Sequence, residues 1–173
     1  MKKLISAVAL IVVLAVGIFA LVPSESQYIR IHIRANSNSA LDQSVKYAVK
    51  NAVVEYLSPK IGGCTTKEQA MSLVKNSQNE ISRVATAVLV KNGYSYTANA
   101  VLKKEEFPAR TYEETTLEAG VYDALIVELG EAKGDNWWCV LFPPLCFVPA
   151  VDNGGNNIEY RSKIFELLGY YGS

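Results

Sequence analysis

From Leu4 to Val22 every residue is apolar or glycine except Ser6, and Lys2 and Lys3 stand immediately before this run. Pro23, Ser24, Glu25, Ser26 and Gln27 end it. As a helix the run measures about 28 Å, close to the hydrocarbon thickness of a bilayer. A helix packed in a soluble core keeps a polar stripe toward water, and this stretch has none. Positive start, apolar centre and polar stop are the parts of an export signal. Residues 1–23 are therefore set apart as a signal peptide or signal-anchor helix, and 24–173 as a single extracytoplasmic domain. Ala15-Val16-Gly17 has small residues at the spacing a signal peptidase uses, and Ile18-Phe19-Ala20 is a second such position. An uncleaved anchor fits the same residues.

The domain that remains, 150 of the 173 residues, is long enough to bury a sizeable core. Removing Lys2 and Lys3 from the 17 basic residues leaves 15 against 17 acidic ones, a net of −2. That balance gives no electrostatic reason to expect nucleic acid, which needs clustered Lys and Arg. No second hydrophobic span follows the first, so the chain is expected to cross a membrane at most once, through its N-terminal segment if that is uncleaved.

Tyr28 to Arg34 alternates, with Ile29, Ile31 and Ile33 on one face and Arg30, His32 and Arg34 on the other, the period of a half-buried strand. Ser39 and Asp42 are placed to cap a helix, hydroxyl and carboxylate both accepting free backbone N–H groups. Leu41, Val45, Ala48, Val49, Ala52, Val53, Tyr56 and Leu57 then recur at helical spacing until Pro59, which is expected to stop the helix. Thr66 with Gln69 predicts a second helix start, and Asn92-Gly93 its end. Tyr94–Val101 reads as a strand, and Phe107-Pro108 with the polar stretch from Glu113 to Thr116 as a loop or edge strand. Val121–Leu129 and Trp137–Phe142 read as a hairpin across a turn at Glu131–Asn136. Asp152–Asn157 is a further turn, and Glu159–Leu168 a short C-terminal helix. The order predicts an α+β fold: a mostly antiparallel sheet with two long helices and a short closing helix packed on it.

Catalytic patterns are missing from the sequence. His32 is the only histidine; flanked by two arginines that disfavour its imidazolium, it reads as a solvated strand-face side chain. No nucleophile elbow is present. Glu105-Glu106 and Glu113-Glu114 lie in polar surroundings, without the contrasting environments that separate an acid from a base. Gly62-Gly63 and Gly154-Gly155 lack phosphate-loop spacing. No catalytic residue, cofactor site or metal site is assigned.

Cys139 and Cys146 enclose six residues, Val140-Leu141-Phe142-Pro143-Pro144-Leu145. Outside the cytoplasm such a pair reads as a disulfide rather than half a metal shell. Closing a ring of eight residues contributes about 2.5 kcal/mol if unstrained. Cys64 is left over in a glycine-rich loop. The competing enzyme reading makes Cys139 a nucleophile served by His32. Trp137, Trp138, Phe142, Leu145 and Phe147 crowd bulky side chains onto both faces of one strand and its loop, so that strand is either covered twice or meets a partner. These five residues are the candidate partner-binding set, with Arg30 and Arg34 as a second candidate patch.

Ile29-Arg30-Ile31-His32-Ile33-Arg34-Ala35-Asn36-Ser37-Asn38-Ser39, followed by Asp42-Gln43, resembles the opening of the stage II sporulation protein R family. Ala119-Gly120-Val121-Tyr122-Asp123-Ala124-Leu125, followed by the run from Gly134-Asp135-Asn136-Trp137-Trp138-Cys139 to Pro143-Pro144-Leu145-Cys146-Phe147, resembles its C-terminal signature. Glu131-Ala132-Lys133-Gly134 departs from a more glycine-rich turn, and Ile126-Val127 from a more basic strand centre. The resemblance implies an intercellular sporulation signal, made in the forespore and exported into the intermembrane space of the septum. There it would activate a membrane-embedded aspartic protease of the mother cell, which removes the inhibitory pro-segment of a sigma factor. An extracytoplasmic hydrolase and an envelope-binding module are the alternatives from other classes.

Overall fold

The computed structural model describes residues 26–112, 115–145, 148–149 and 160–161. The expected N-terminal helix, the Asp152–Asn157 turn and most of the Glu159–Leu168 helix lie outside these residues. The elements are β1 (Ile29–Arg34), α1 (Ala40–Ile61), α2 (Lys67–Lys91), β2 (Ala98–Phe107), β3 (Arg110–Tyr112), β4 (Thr115–Leu117), β5 (Gly120–Leu129), β6 (Asn136–Phe142), β7 (Val148–Pro149) and β8 (Tyr160–Arg161). The fold is α+β, with two long helices and a mixed, mostly antiparallel sheet in the order β2-β5-β1-β6. β3 and β4 form a separate two-stranded ladder, as do β7 and β8. Tyr160–Arg161, the described part of the expected Glu159–Leu168 helix, pairs with Val148–Pro149.

Both helix starts form as their sequences predict. Ser39 accepts the Asp42 N–H at 3.1 Å, and Thr66 accepts the Gln69 N–H at 3.3 Å. The end of α1 differs from expectation, because Pro59 sits inside the last turn and the helix continues to Ile61. Leu57 and Ile61 flank the proline and are both fully buried, and that packing outweighs one lost backbone bond. α2 ends as expected at Asn92, with Gly93 in the left-handed region at φ 82°.

β2 begins at Ala98 rather than Tyr94, because the Tyr94 N–H bonds back to Leu89 O at 3.0 Å and continues the helix exit. Its outer edge is closed by α2. Thr86 Oγ1, Ser82 Oγ and Gln78 Oε1 accept the N–H groups of Ala98, Ala100 and Leu102 at 3.0, 2.9 and 2.8 Å. Four residues of helix rise about 6 Å and two residues of strand about 6.8 Å, so the two ladders stay nearly in step.

The predicted β5–β6 hairpin does not form. β1 lies between the two strands, parallel to β5 and antiparallel to β6. Residues 130–135 cross the end of β1, a distance of about 10 Å. Gly134 N–H donates to Ala35 O at 2.9 Å and Lys133 N–H to Asn36 O at 3.1 Å, so the crossover is fastened to the strand it passes. Ile29, Ile31 and Ile33 face the helices in the main core, beside Val49, Leu57 and Leu89. A smaller cluster of Phe107, Tyr122, Ala124 and Ile126 fills the opposite face.

Candidate functional site

The polar turn after β1 interlocks with the crossover. Asn36 Oδ1 accepts Glu131 N–H at 2.9 Å, and Asn38 Oδ1 accepts Asp135 N–H at 2.6 Å. Asp42, buried at the start of α1, accepts from Asn36 Nδ2 at 2.9 Å, Ser37 Oγ at 2.5 Å and the Tyr96 hydroxyl at 2.6 Å. Burial alone pushes its carboxyl up, but the hydrogen bonds from Ser37, Tyr96 and Asn36 outweigh it and hold the group below its usual range. Tyr96 is raised, by burial first and then by the Asp42 carboxylate. The expectation that this carboxylate caps backbone N–H groups is corrected here: the Ser39 hydroxyl caps, while Asp42 gathers side chains from three segments. Glycine is required at the crossover, since a Cβ on Gly134 would collide with the Ser37 carbonyl. These donors and acceptors are matched to one another, so the cluster fastens the fold rather than presenting open chemistry.

On the second sheet face, Arg30 and His32 are fully buried, which corrects the solvated face expected for them. Arg30 Nη2 donates to the Tyr112 hydroxyl at 2.6 Å and Nη1 to Pro108 O at 3.4 Å. Its guanidinium lies 4.3 Å from the Phe107 ring centre and 5.1 Å from that of Tyr122. His32 packs against Trp138 at 4.5 Å and Phe107 at 5.4 Å between ring centres, and neither ring nitrogen has a hydrogen-bond partner. Burial first, and the Arg34 charge second, lower its pKa to about 4, so it is neutral at pH 7. The sequence could not reveal this cover, because Phe107 and Pro108 reach Arg30 and His32 from another strand 75 or more positions away. Arg34 is half-buried and paired with Glu105 at 2.9 Å and Glu128 at 3.1 Å.

Strand β6 is covered on both faces. Trp137 is buried in the main core with Cys139 and Leu141, while Trp138 lies half-buried on the second face against His32 and Phe107. Cys139 and His32 therefore lie on opposite faces of the sheet, and a Cys139–His32 dyad does not form. Phe142 and Leu145 are half-buried, and Pro143 and Pro144 between them are exposed. Phe147 and Cys146 fall outside the described residues. Cys64 is the free thiol among the described residues. We expect Cys139 and Cys146 to be joined under oxidising conditions, and mass spectrometry of non-reduced, alkylated protein checks it. Alkylation of both rules the bridge out.

Two lysines went unnoticed in the sequence. Lys46 and Lys50, one helical turn apart on α1, are almost fully buried. Lys46 Nζ donates to Gln43 Oε1 at 2.6 Å and to Asp135 O at 3.0 Å, tying α1 to the crossover. Lys50 Nζ lies 5.6 Å from the Trp137 ring centre, and burial lowers its pKa to about 8. The available signal was positional: both sit on the same helix flank as Val49 and Val53. Among the described residues no group of His, Cys, Asp and Glu is arranged to hold a metal ion.

The model of the family described as Stage II sporulation protein R matches residues 25–152, which include both interlocking segments. Stage II sporulation protein R of Bacillus subtilis (strain 168) is 36% identical over 122 residues, covering 70% of this chain and 54% of the relative. The chain thus spans about half the length of the curated relative it matches. No solved structure matches. With the family model covering most of the chain, and its matched region holding the clamp and the Trp137–Leu145 strand and loop, the chain belongs to the stage II sporulation protein R family.

Proposed function

We propose that this chain is an exported sporulation signal, made in the forespore and acting in the septal intermembrane space. Its target in this reading is a membrane-embedded aspartic protease of the mother cell, which then removes the pro-segment of a sigma factor. The observation that carries the reading, beside family membership, is the separation of Cys139 from the buried, neutral His32. A domain whose single histidine is sealed between Phe107 and Trp138 works through its surface rather than through that imidazole. Within the candidate partner set, Trp137 and Arg30 are buried and Arg34 is held by two carboxylates. Contact then falls to the half-buried Trp138 and to Phe142, Leu145 and Phe147, at and beyond the end of β6, where two prolines stiffen a loop that the expected disulfide closes, which lowers the ordering cost of binding.

The test is to co-produce the exported domain with the candidate protease and follow loss of the pro-segment. Phe142→Ala, Leu145→Ala and Phe147→Ala are compared for thermal stability and for activation. At least one is expected to keep a near-native melting temperature and lose activation, because core truncation unfolds a domain whereas surface truncation does not. Stability and activation falling together in all three, or activation surviving in all three, would place the binding face elsewhere.

A further inference from the structure

Strand directions sort the loops of the domain to two ends. β1 and β5 begin at the same end, and β2 and β6 finish there. Ser26, Pro108, Val121 and the Pro143–Leu145 loop therefore share one end, while the Asn36–Ser39 turn and the 130–135 crossover occupy the other. α1 leaves the far end at Ala40, and α2 starts at the near end with Lys67, so Cys64 belongs to the near end as well.

The near end is also where the chain arrives from its apolar run. Lys67 Nζ donates to Ser26 O at 2.6 Å and pairs with Asp123 Oδ2 at 2.6 Å, with the Lys67 and Asp123 side chains only 9% and 11% exposed. Ser26 Oγ accepts the Tyr28 N–H at 3.2 Å. The chain is thus fastened to the fold from Ser26 onward. The apolar run ends at Val22, and four residue steps to Ser26 reach at most about 14 Å. The ten residues of β2 set the two ends about 34 Å apart, more than twice that reach.

We propose that, with the Leu4–Val22 segment in a bilayer, the domain stands on the headgroup surface of that same bilayer, near end down. Val121 and the Pro143–Leu145 loop then rest against the headgroups, and the Asn36–Asp135 clamp points away. The proposal rests on the anchored form of the function proposed above. Apolar exposure at this end agrees with it, since Val121 is 59% exposed on β5 and Pro143 and Pro144 are exposed after β6. Such short-tethered standing brings the same loop to the level at which a membrane-embedded partner emerges.

The experiment uses the full chain, its intact N-terminus verified by mass, in nanodiscs carrying a headgroup-linked acceptor dye. A donor dye is placed on the native Cys64 thiol in one sample and on Lys133→Cys in a Cys64→Ser background in another. Val121→Cys in that background is a second near-end site, in case a label at Cys64 disturbs the helix connection. Energy transfer is expected to be several-fold stronger from positions 64 and 121 than from 133. Equal transfer from both ends, as for a domain lying on its side, overturns the orientation. So does stronger transfer from 133, or none from any site. Failure of protease activation in the co-production assay counts against the proposed function alone, so the two are read separately.

Discussion

Asp42→Ala is expected to lower the unfolding free energy by about 4 kcal/mol, because each hydrogen bond to a buried charged acceptor contributes roughly 1.5–3 kcal/mol and the three are not fully additive. Asn36, Ser37 and Tyr96 all lose their acceptor at once. Asn36 also holds the crossover through Glu131, so the loss spreads from the helix start to the β5–β6 connection. Urea unfolding measures the change, and for a domain of this size the melting temperature falls by about 10 °C. Asp42→Asn keeps the volume and one acceptor but turns an amide donor toward donors, so it falls between wild type and Asp42→Ala. A loss below about 1 kcal/mol would show that the cluster is not what secures the crossover. The carboxylate also gives the clamp an acid limit. Its folded pKa lies below the ordinary 3.8, so its contribution is complete above that value and fades as pH drops through the lower folded one.

His32 gives a second acid limit in a separate window. Its folded pKa of about 4 lies below the ordinary 6.5. Above pH 6.5 the imidazole is neutral in both states and costs nothing. Between 6.5 and 4 the unfolded chain takes up a proton that the folded chain refuses, and stability falls by about 1.4 kcal/mol per pH unit. The total is about 3 kcal/mol once pH is below 4. Burial leads this shift, Arg34, Lys103 and Arg30 reinforce it, and Glu105 opposes it. Denaturant unfolding at a series of pH values reads the slope directly. His32→Leu is expected to flatten it whatever that variant's absolute stability, and an unchanged slope in His32→Leu would assign the acid sensitivity to other groups.

Local signals survived translation into structure, and long-range ones did not. Ser39, Thr66 and Asn92-Gly93 mark helix ends because a cap is decided within four residues, and Ile29, Ile31 and Ile33 alternate because a strand has period two. Pro59 misled because its cost is local while the burial of Leu57 and Ile61 that offsets it is not. The β5–β6 hairpin failed for the same reason. A turn-like segment between two strands fits a hairpin equally well as a crossover, and the choice lies in bonds from Gly134 and Lys133 to the end of β1, about a hundred positions away. Arg30 and His32 read as solvated since charge on a strand usually means water. Their cover comes from Phe107, Pro108, Tyr112 and Trp138, none of them near β1 in sequence. Of the candidate binding set, the crowding of aromatic residues on β6 was legible, whereas the division into core and surface required the register with β1.

Side-chain acceptors from α2 along β2 give the sheet one closed margin. Fibrous assembly of β proteins needs every copy to accept a strand on one side and offer one on the other. The N–H groups of Ala98, Ala100 and Leu102 are already taken by Thr86, Ser82 and Gln78, so an arriving strand finds no free donor along that first half of β2. Strand addition is left to β6, which pairs only with β1 among the described four-stranded sheet. Three hydroxyl and amide side chains on one helix thus leave β6, not β2, as the margin of the four-stranded sheet at which another strand could add.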